Sequence, residues 1–359
     1  MPDTWTEQEV LERIDKIRHR KPTRVRDDFI NMAHGAGGKA THTLIEALFE
    51  PILHNPLLAQ LGDQAIFSVD GVTLALTTDS YVVSPIIFPG GDIGELAVNG
   101  TVNDLAVGGA TPLYLSAAVI LEEGLDIPTL TRIVESMRRA ADRAGVAIVT
   151  GDTKVVPKGK GDRIFINTTG VGVVRQPGRL GMDKVRPGDA VLVNGTVGDH
   201  GTAIMIARGD LDLEVELESD TAPLHTLIDA MLEAGDVHFM RDATRGGVAT
   251  VLNEIARQQD VGIAVEESAI PVRNEVRGVA EILGIDPLYM ASEGRLIAVV
   301  AASDRQRILE AMRQHPLGEQ AVQIGEVRVE PPGMVFLRTA FGGTRVIDMM
   351  IGDPLPRIC

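Results

Sequence analysis

The stretch TTDSYVVSPIIFPGGDIGELAVNGTVNDLAVGG, residues 77–109, decides how this chain folds. Its first residues end the run VTLALTTD (72–79), whose β-branched, alternating character predicts a strand. Its second half, DIGELAVNGTVNDLAVGG, has the apolar spacing of a helix. Asp79 therefore falls at a strand end. On the helix, Asn99 and Asn103 lie one turn apart on one face, with Asp104 alongside. Leu96, Val98, Val102 and Leu105 flank these polar groups, which must find partners if buried. Packing and capping contacts satisfy that need as readily as a ligand does.

The same alternation extends outward. AIFSV (65–69) precedes the stretch as a strand, and PLYLSAAVIL (112–121) follows it as another. IPTLTRIVESMRRAADRAG (127–145) has helical spacing, and GVAIVTGDT and RIFINTTGVGVV read as further strands. RQPGRLGMDKVRPGD (175–189) is dense in Gly, Pro and charge and marks a domain boundary. A second block then alternates strands such as DAVLVNG and RLIAVVA with helices such as GGVATVLNEIARQQ. The expected architecture is two α/β domains of α+β type. They cover 30–177 and 178–345, after a charged helical extension at 1–29 and before a tail at 346–359.

Composition narrows the function. Hydrophobic residues make up 44% and charged residues 23% of 359, the balance of a globular chain with room for two cores. A net charge of −16 argues against nucleic acid or an anionic membrane as partner, and 3% aromatics leave little for base stacking. No apolar run approaches the roughly 20 residues of a membrane helix, and no apolar signal core opens the chain. With one cysteine no internal disulfide forms, which agrees with a cytoplasmic location.

Several aspartates sit at strand ends or in Gly-rich turns: Asp63 (LGDQA), Asp79, Asp104, Asp152 (TGDTK) and Asp242 (RDATRGG). Each one alone reads equally as a turn or cap residue; together they suit Mg²⁺, which bridges carboxylates to phosphate oxygens. AHGAGGKA (33–40) lacks the first glycine of a Walker loop and a preceding strand. Its Gly35, Gly37 and Gly38 still offer bare N–H groups to a phosphate, or simply form a loop. Lys154, after Asp152 and Thr153, is placed to neutralise phosphate charge, or is a surface lysine. Glu293 in MASEGR reads as a general base or as a turn residue. The histidines show no zinc-ligand spacing. In the tail, Pro354 and Pro356 favour extended backbone ahead of Cys359, the last residue and the only thiol.

Taken together, MAHGAGG, the 77–109 stretch, TGDTKVV, FINTTGVG, VGDHG, RDATRGGVATVLNEIA, ASEG and the terminal PRIC resemble the HypE family of hydrogenase maturation factors. The resemblance runs from about residue 30 to the last. That family shares a superfamily with aminoimidazole ribonucleotide synthetase, selenophosphate synthetase and thiamine-monophosphate kinase. It implies a homodimer whose N-terminal domains join strands into a barrel, with ATP and Mg²⁺ in the cleft between domains. Asp63, Asp79, Asp104 and Asp242 then match metal–phosphate ligands. Gly35, Gly37, Gly38, Asp79, Asn103, Asp104, Asp152, Thr153, Lys154 and Arg245 fall to nucleotide binding. Cys359 matches the cysteine that receives a carbamoyl group from the carbamoyltransferase HypF. Its S-carboxamide is then dehydrated to a thiocyanate, and the cyanide passes to a HypC–HypD iron scaffold. Cys359, Lys154 and Glu293 are the implied catalytic set, on a tail expected to be mobile.

Overall fold

The computed structural model describes residues 24–209, 215–352 and 357–359. The expected helical extension lies, up to residue 23, outside the described residues. Two sheets organise the rest. The first has the order β1-β2-β7-β5-β6, from β1 (Ala65–Val69), β2 (Val72–Tyr81), β5 (Ala110–Glu122), β6 (Ala147–Val156) and β7 (Ile164–Val174). A two-residue pair, β3 (Ile87–Phe88) and β4 (Gly91–Asp92), stands beside it. All pairings in the large sheet are antiparallel except β5 with β6.

The quoted stretch forms β2 and a helix, α1 (Ile93–Val107), as its pattern predicts. The Asp92 carboxylate caps that helix by accepting from Gly94 and Glu95 N–H at 2.9 and 3.1 Å. Every residue of α1 but Glu95 is buried, because it packs on the first sheet and against the second domain at once. α2 (Ile127–Ala144) covers α1 with one apolar face; Asp126 caps its start and Gly145, at φ 66°, its end.

The second sheet runs β14-β13-β10-β12-β8-β11-β9. Its strands are β8 (Ala190–Val193), β9 (Val237–Asp242), β10 (Gly262–Glu266), β11 (Leu296–Val300), β12 (Val322–Arg328), β13 (Val335–Arg338) and β14 (Thr344–Ile347). One face packs on helices His225–Ala234 and Arg305–Gln314, the other on α3 (Gly247–Gln259). Burial on both faces is why β8 and β11 read as unbroken apolar runs. The first sheet ends at Val174 and the second begins at Ala190, across the segment that reads as a boundary. β14 carries the second unit through Ile347, two residues past the expected 345.

The chain end does not hang free of the cleft. Arg357–Cys359 lie along residues 82–84, where the Val82 and Ser84 N–H groups donate to the Cys359 and Arg357 carbonyls at 3.1 Å each. Ile358 is buried in the first domain's core.

Candidate functional site

Four elements bring the site together. β2 delivers Asp79 and Tyr81, α1 delivers Asp104, and the end of β9 with the turn into α3 delivers Asp242 and Arg245. The loop before β11 delivers Glu293. A narrow cavity lined by Asp79, Tyr81, Asp242, Arg245, Glu293 and Cys359 joins them. It opens on one side into a cavity of about 290 Å³ along the tail, with Gly35, Ala36 and Met350. On the other side, Asp242, Thr244 and Arg245 are shared with a wider cavity of about 560 Å³ that includes Asp63, Thr77, Thr78 and Glu254. Among the described residues, Arg245 alone lines all three spaces.

Glu293 is 2% exposed, with Oε1 buried and unpartnered. Its backbone is held at both ends, since its N–H donates to Asp220 Oδ1 at 3.0 Å and its carbonyl accepts from Asn103 Nδ2 at 3.3 Å. The Cys359 and Glu293 side chains line the same narrow cavity. Burial, then the nearby Glu293, pushes the thiol up, and burial with Asp242, Asp220 and Asp79 pushes Glu293 well above the usual carboxylate range. Arg245 opposes both shifts. Its own guanidinium is held charged first by Cys359, and by Asp79 and Glu293, against the pull of burial. Its Nη1 donates to the Gly35 carbonyl at 3.1 Å. Gly37, at φ 74°, packs so close to Arg245 that a Cβ would lie 2.8 Å from its Cβ.

The aspartates repel one another. Asp104 is raised well above its usual range by burial and then by Asp79, Asp242 and Asp63; Asp242 is raised to about 8 by burial and then by Asp63 and Asp79. Asp79 is raised as well, chiefly by burial, with Arg245 opposing. Hard carboxylate oxygens crowded in a dry site fit a divalent cation in charge and donor type. Among the described residues, no three such groups already surround one point.

Several expected site residues have other duties. Asp63 is ion-paired at 2.9 Å with Arg241, whose other arm holds Glu254. Asn103 spends its amide on the second domain, donating to the Ala222 and Glu293 carbonyls and accepting from Leu224 N–H at 2.7 Å. Gly38 packs against the Met350 carbonyl, and nothing lies within 4 Å of a Cβ built on Gly35. Asp152, Thr153 and Lys154 stay out of the cleft of their own chain. They are exposed on β6, an edge strand, and Lys154 pairs with Asp152 at 2.7 Å. Sequence reading missed Arg241, Glu254, Tyr81 and Asp220. A basic residue one place before Asp242, on a strand with an acidic partner across α3, was the available signal for the first two.

Residues 61–174 match the N-terminal domain, and residues 186–337 the C-terminal domain, of AIR synthase related proteins. Fold and site thus define a member of that class. Carbamoyl dehydratase HypE of Cupriavidus necator is 51% identical over 346 residues, 96% of this chain and 99% of that protein. Carbamoyl dehydratase HypE of Escherichia coli is 48% identical over 335 residues, 92% of this chain and 99% of that protein. A solved HypE–HypF complex matches with a TM-score of 0.81 at 45% identity, covering 86% of this chain and 99% of that one. HypE in complex with ATP matches with a TM-score of 0.77 at 48% identity, covering 92% and 100%. Within its class the chain belongs to the HypE family, the carbamoyl dehydratases of hydrogenase maturation.

Proposed function

We propose that this chain uses ATP to dehydrate an S-carboxamide on its own Cys359 to a thiocyanate, a source of cyanide for the iron of a [NiFe]-hydrogenase. The observation that carries the reading is the terminal thiol seated against buried Glu293, with Arg245 beside both. A tail that is only a docking peptide has no need of that cleft.

The chemistry explains the groups. A carboxamide oxygen leaves neither as hydroxide nor as oxide, so it must first become a phosphate ester, and loss of the two nitrogen protons then makes the nitrile. With a carbamoyl group on sulfur, the amide nitrogen lies where the thiol met Glu293. The burial that raises Glu293 makes its carboxylate a strong base once ionised. Arg245, charged and facing both the tail and the wider cavity, stabilises charge building on the carboxamide oxygen and the transferred phosphoryl group. The nucleotide fits the wider cavity, whose wall includes Asp63, Thr77, Asp242 and Gly37. Mg²⁺, when bound, supplies charge neutralisation at the phosphates, and Asp63, Asp79, Asp104 and Asp242 would hold it.

Lys154 completes this set only in a dimer, since within one chain it faces away; the exposed β6 edge is where a second copy would add its strands. The carbamoyl donor is HypF, in keeping with the complex formed by the related protein, and the acceptor is a HypC–HypD scaffold. The tail leaves the cleft to meet both. No described helix is long and apolar enough to cross a membrane, and a cytoplasmic site of action suits a reduced Cys359. Intact-mass spectrometry with HypF, carbamoyl phosphate and ATP–Mg²⁺ tests the reaction. The expected record is gain of one carbamoyl group and then ATP-dependent loss of one water; an adduct that never loses water overturns it.

A further inference from the structure

The last three residues are held by side chains, Ile358 in the first domain's core and Arg357 ion-paired with Asp162, and separately by their main chain. Besides the donors from Val82 and Ser84, the Arg357 carbonyl accepts from Arg208 Nη2 at 2.6 Å, while Arg208 Nε donates to the Ser84 carbonyl at 2.7 Å. Arg208 thus ties both strands of this short pairing. The Ile358 carbonyl, next to the Cys359 amide, accepts from His200 Nε2 at 2.5 Å. A carbonyl only accepts, so Nε2 carries the proton and Nδ1 accepts from the Ser219 hydroxyl at 2.8 Å. His200 is fully buried, with its ring edge-on to Phe88 at 5.6 Å, and burial lowers its pKa to about 4, so it stays neutral. Every carbonyl of the tripeptide therefore has a donor. Arg357 meanwhile sits at φ 55°, a left-handed conformation that a non-glycine residue keeps only when its surroundings hold it there.

None of these donors touches the thiol, Glu293 or the wider cavity. We propose that His200 and Arg208 are positioning residues: a latch that reads the tail's backbone, fixes the register of Cys359 on Glu293, and sets the fraction of time the tail is docked. His200 and Arg208 read main-chain carbonyls and leave the Cys359 side chain untouched, so the latch grips the tail with its thiol free or modified. This rests on the reading that the docked tail is the substrate form.

The single cysteine makes the test direct. Alkylation of Cys359 by iodoacetamide in the full-length protein, without nucleotide, is followed by intact mass. The docked thiol is half-buried in the cleft and held protonated there, so labelling proceeds mainly through the undocked fraction. Removing one buried hydrogen bond in His200→Ala is expected to speed labelling about tenfold, with melting temperature tracked alongside. His200→Gln, which restores an N–H donor, is expected to return most of the protection. Arg208→Met, at a partly exposed position tolerant of change, is expected to speed labelling with little change in melting. A wild-type labelling rate in His200→Ala, or no recovery in His200→Gln, overturns the latch. If His200→Ala does not fold, Arg208→Met decides alone, and a wild-type rate there overturns it. Protected labelling without dehydration would instead sink the proposed reaction and leave the latch standing.

Discussion

The two sheets of this molecule are built to different degrees of completion. The second is closed within the chain: helices cover both faces, and β8 and β11 are buried at every position. Among the described residues, the first has α1 and α2 packed on one face. Its edge strand β6 is exposed at every residue but the last, and Val149 and Val155 are 60% and 66% exposed. An apolar edge left open is an invitation to pair with another strand. Each sheet supplies one of the expected catalytic residues. Glu293 comes from the loop entering β11 and lines the cleft; Lys154 comes from β6 and faces away from it. On the proposed reading, half of the catalytic set is preformed within one chain and the other half depends on a second copy.

The sharpest way to break this comparison is to disable the preformed half. Glu293→Gln is expected to slow dehydration by about 10²- to 10⁴-fold while the carbamoyl adduct still forms, as read by intact mass. Cys359→Ala should take no adduct at all. The incomplete half comes next. Val149→Arg buries an unpaired charge wherever β6 meets a second copy, so light scattering should show association weakened by about a hundredfold. Lys154→Ala, in a protein that still associates, should leave the tail carbamoylated and not dehydrated. Dehydration at the wild-type rate by a Val149→Arg monomer would refute the division between halves.

Smaller effects calibrate the contrast. Val299→Ala in β11 is expected to cost about 2 kcal/mol by urea denaturation, and Val155→Ala on the open edge less than about 0.5 kcal/mol when measured on the monomer. A pH dependence tests the shared field of the aspartates. Asp242 has a folded pKa of about 8 against 3.8 for an ordinary aspartate, so the fold favours its protonated form. Its contribution to stability is full below about pH 4 and is lost as pH rises through about 8. Asp242→Asn cannot ionise, so its melting temperature should gain on the wild type between pH 6 and 9. A constant difference would show that the aspartates do not share a field.

Much of this was legible beforehand, for definite reasons. Strand β2 and α1 announce themselves by a change of period from two to 3.6 across a short hairpin. Of the aspartates expected at strand ends or in turns, Asp63 lies in a bend and Asp242 ends β9, whereas Asp104 lies inside α1 and Asp152 inside β6. What sequence cannot show is which way an exposed edge faces: TTDS and TGDT read alike, yet Asp79 lies half-buried in the cleft and Asp152 is on open surface. Nor does it show that Asn103, framed by apolar neighbours exactly as a ligand would be, closes its hydrogen bonds on another domain's backbone. The helical residues Lys39–Leu53 and the polar cradle of Asp220 under Glu293 have no motif, because they are defined by what they pack against.

That use of Asn103 has a mechanical side. Together with Asn99 on Thr221, Ser219 N–H on the Pro89 carbonyl, and Asp63 on Arg241, it rivets one jaw of the cleft to the other. Jaws fixed this way do not swing shut on a substrate as a hinged enzyme does. On the proposed reading the moving part is the workpiece, three residues drawn into a rigid vice and released from it. The timing of each cycle is then set by how the chain grips its own end.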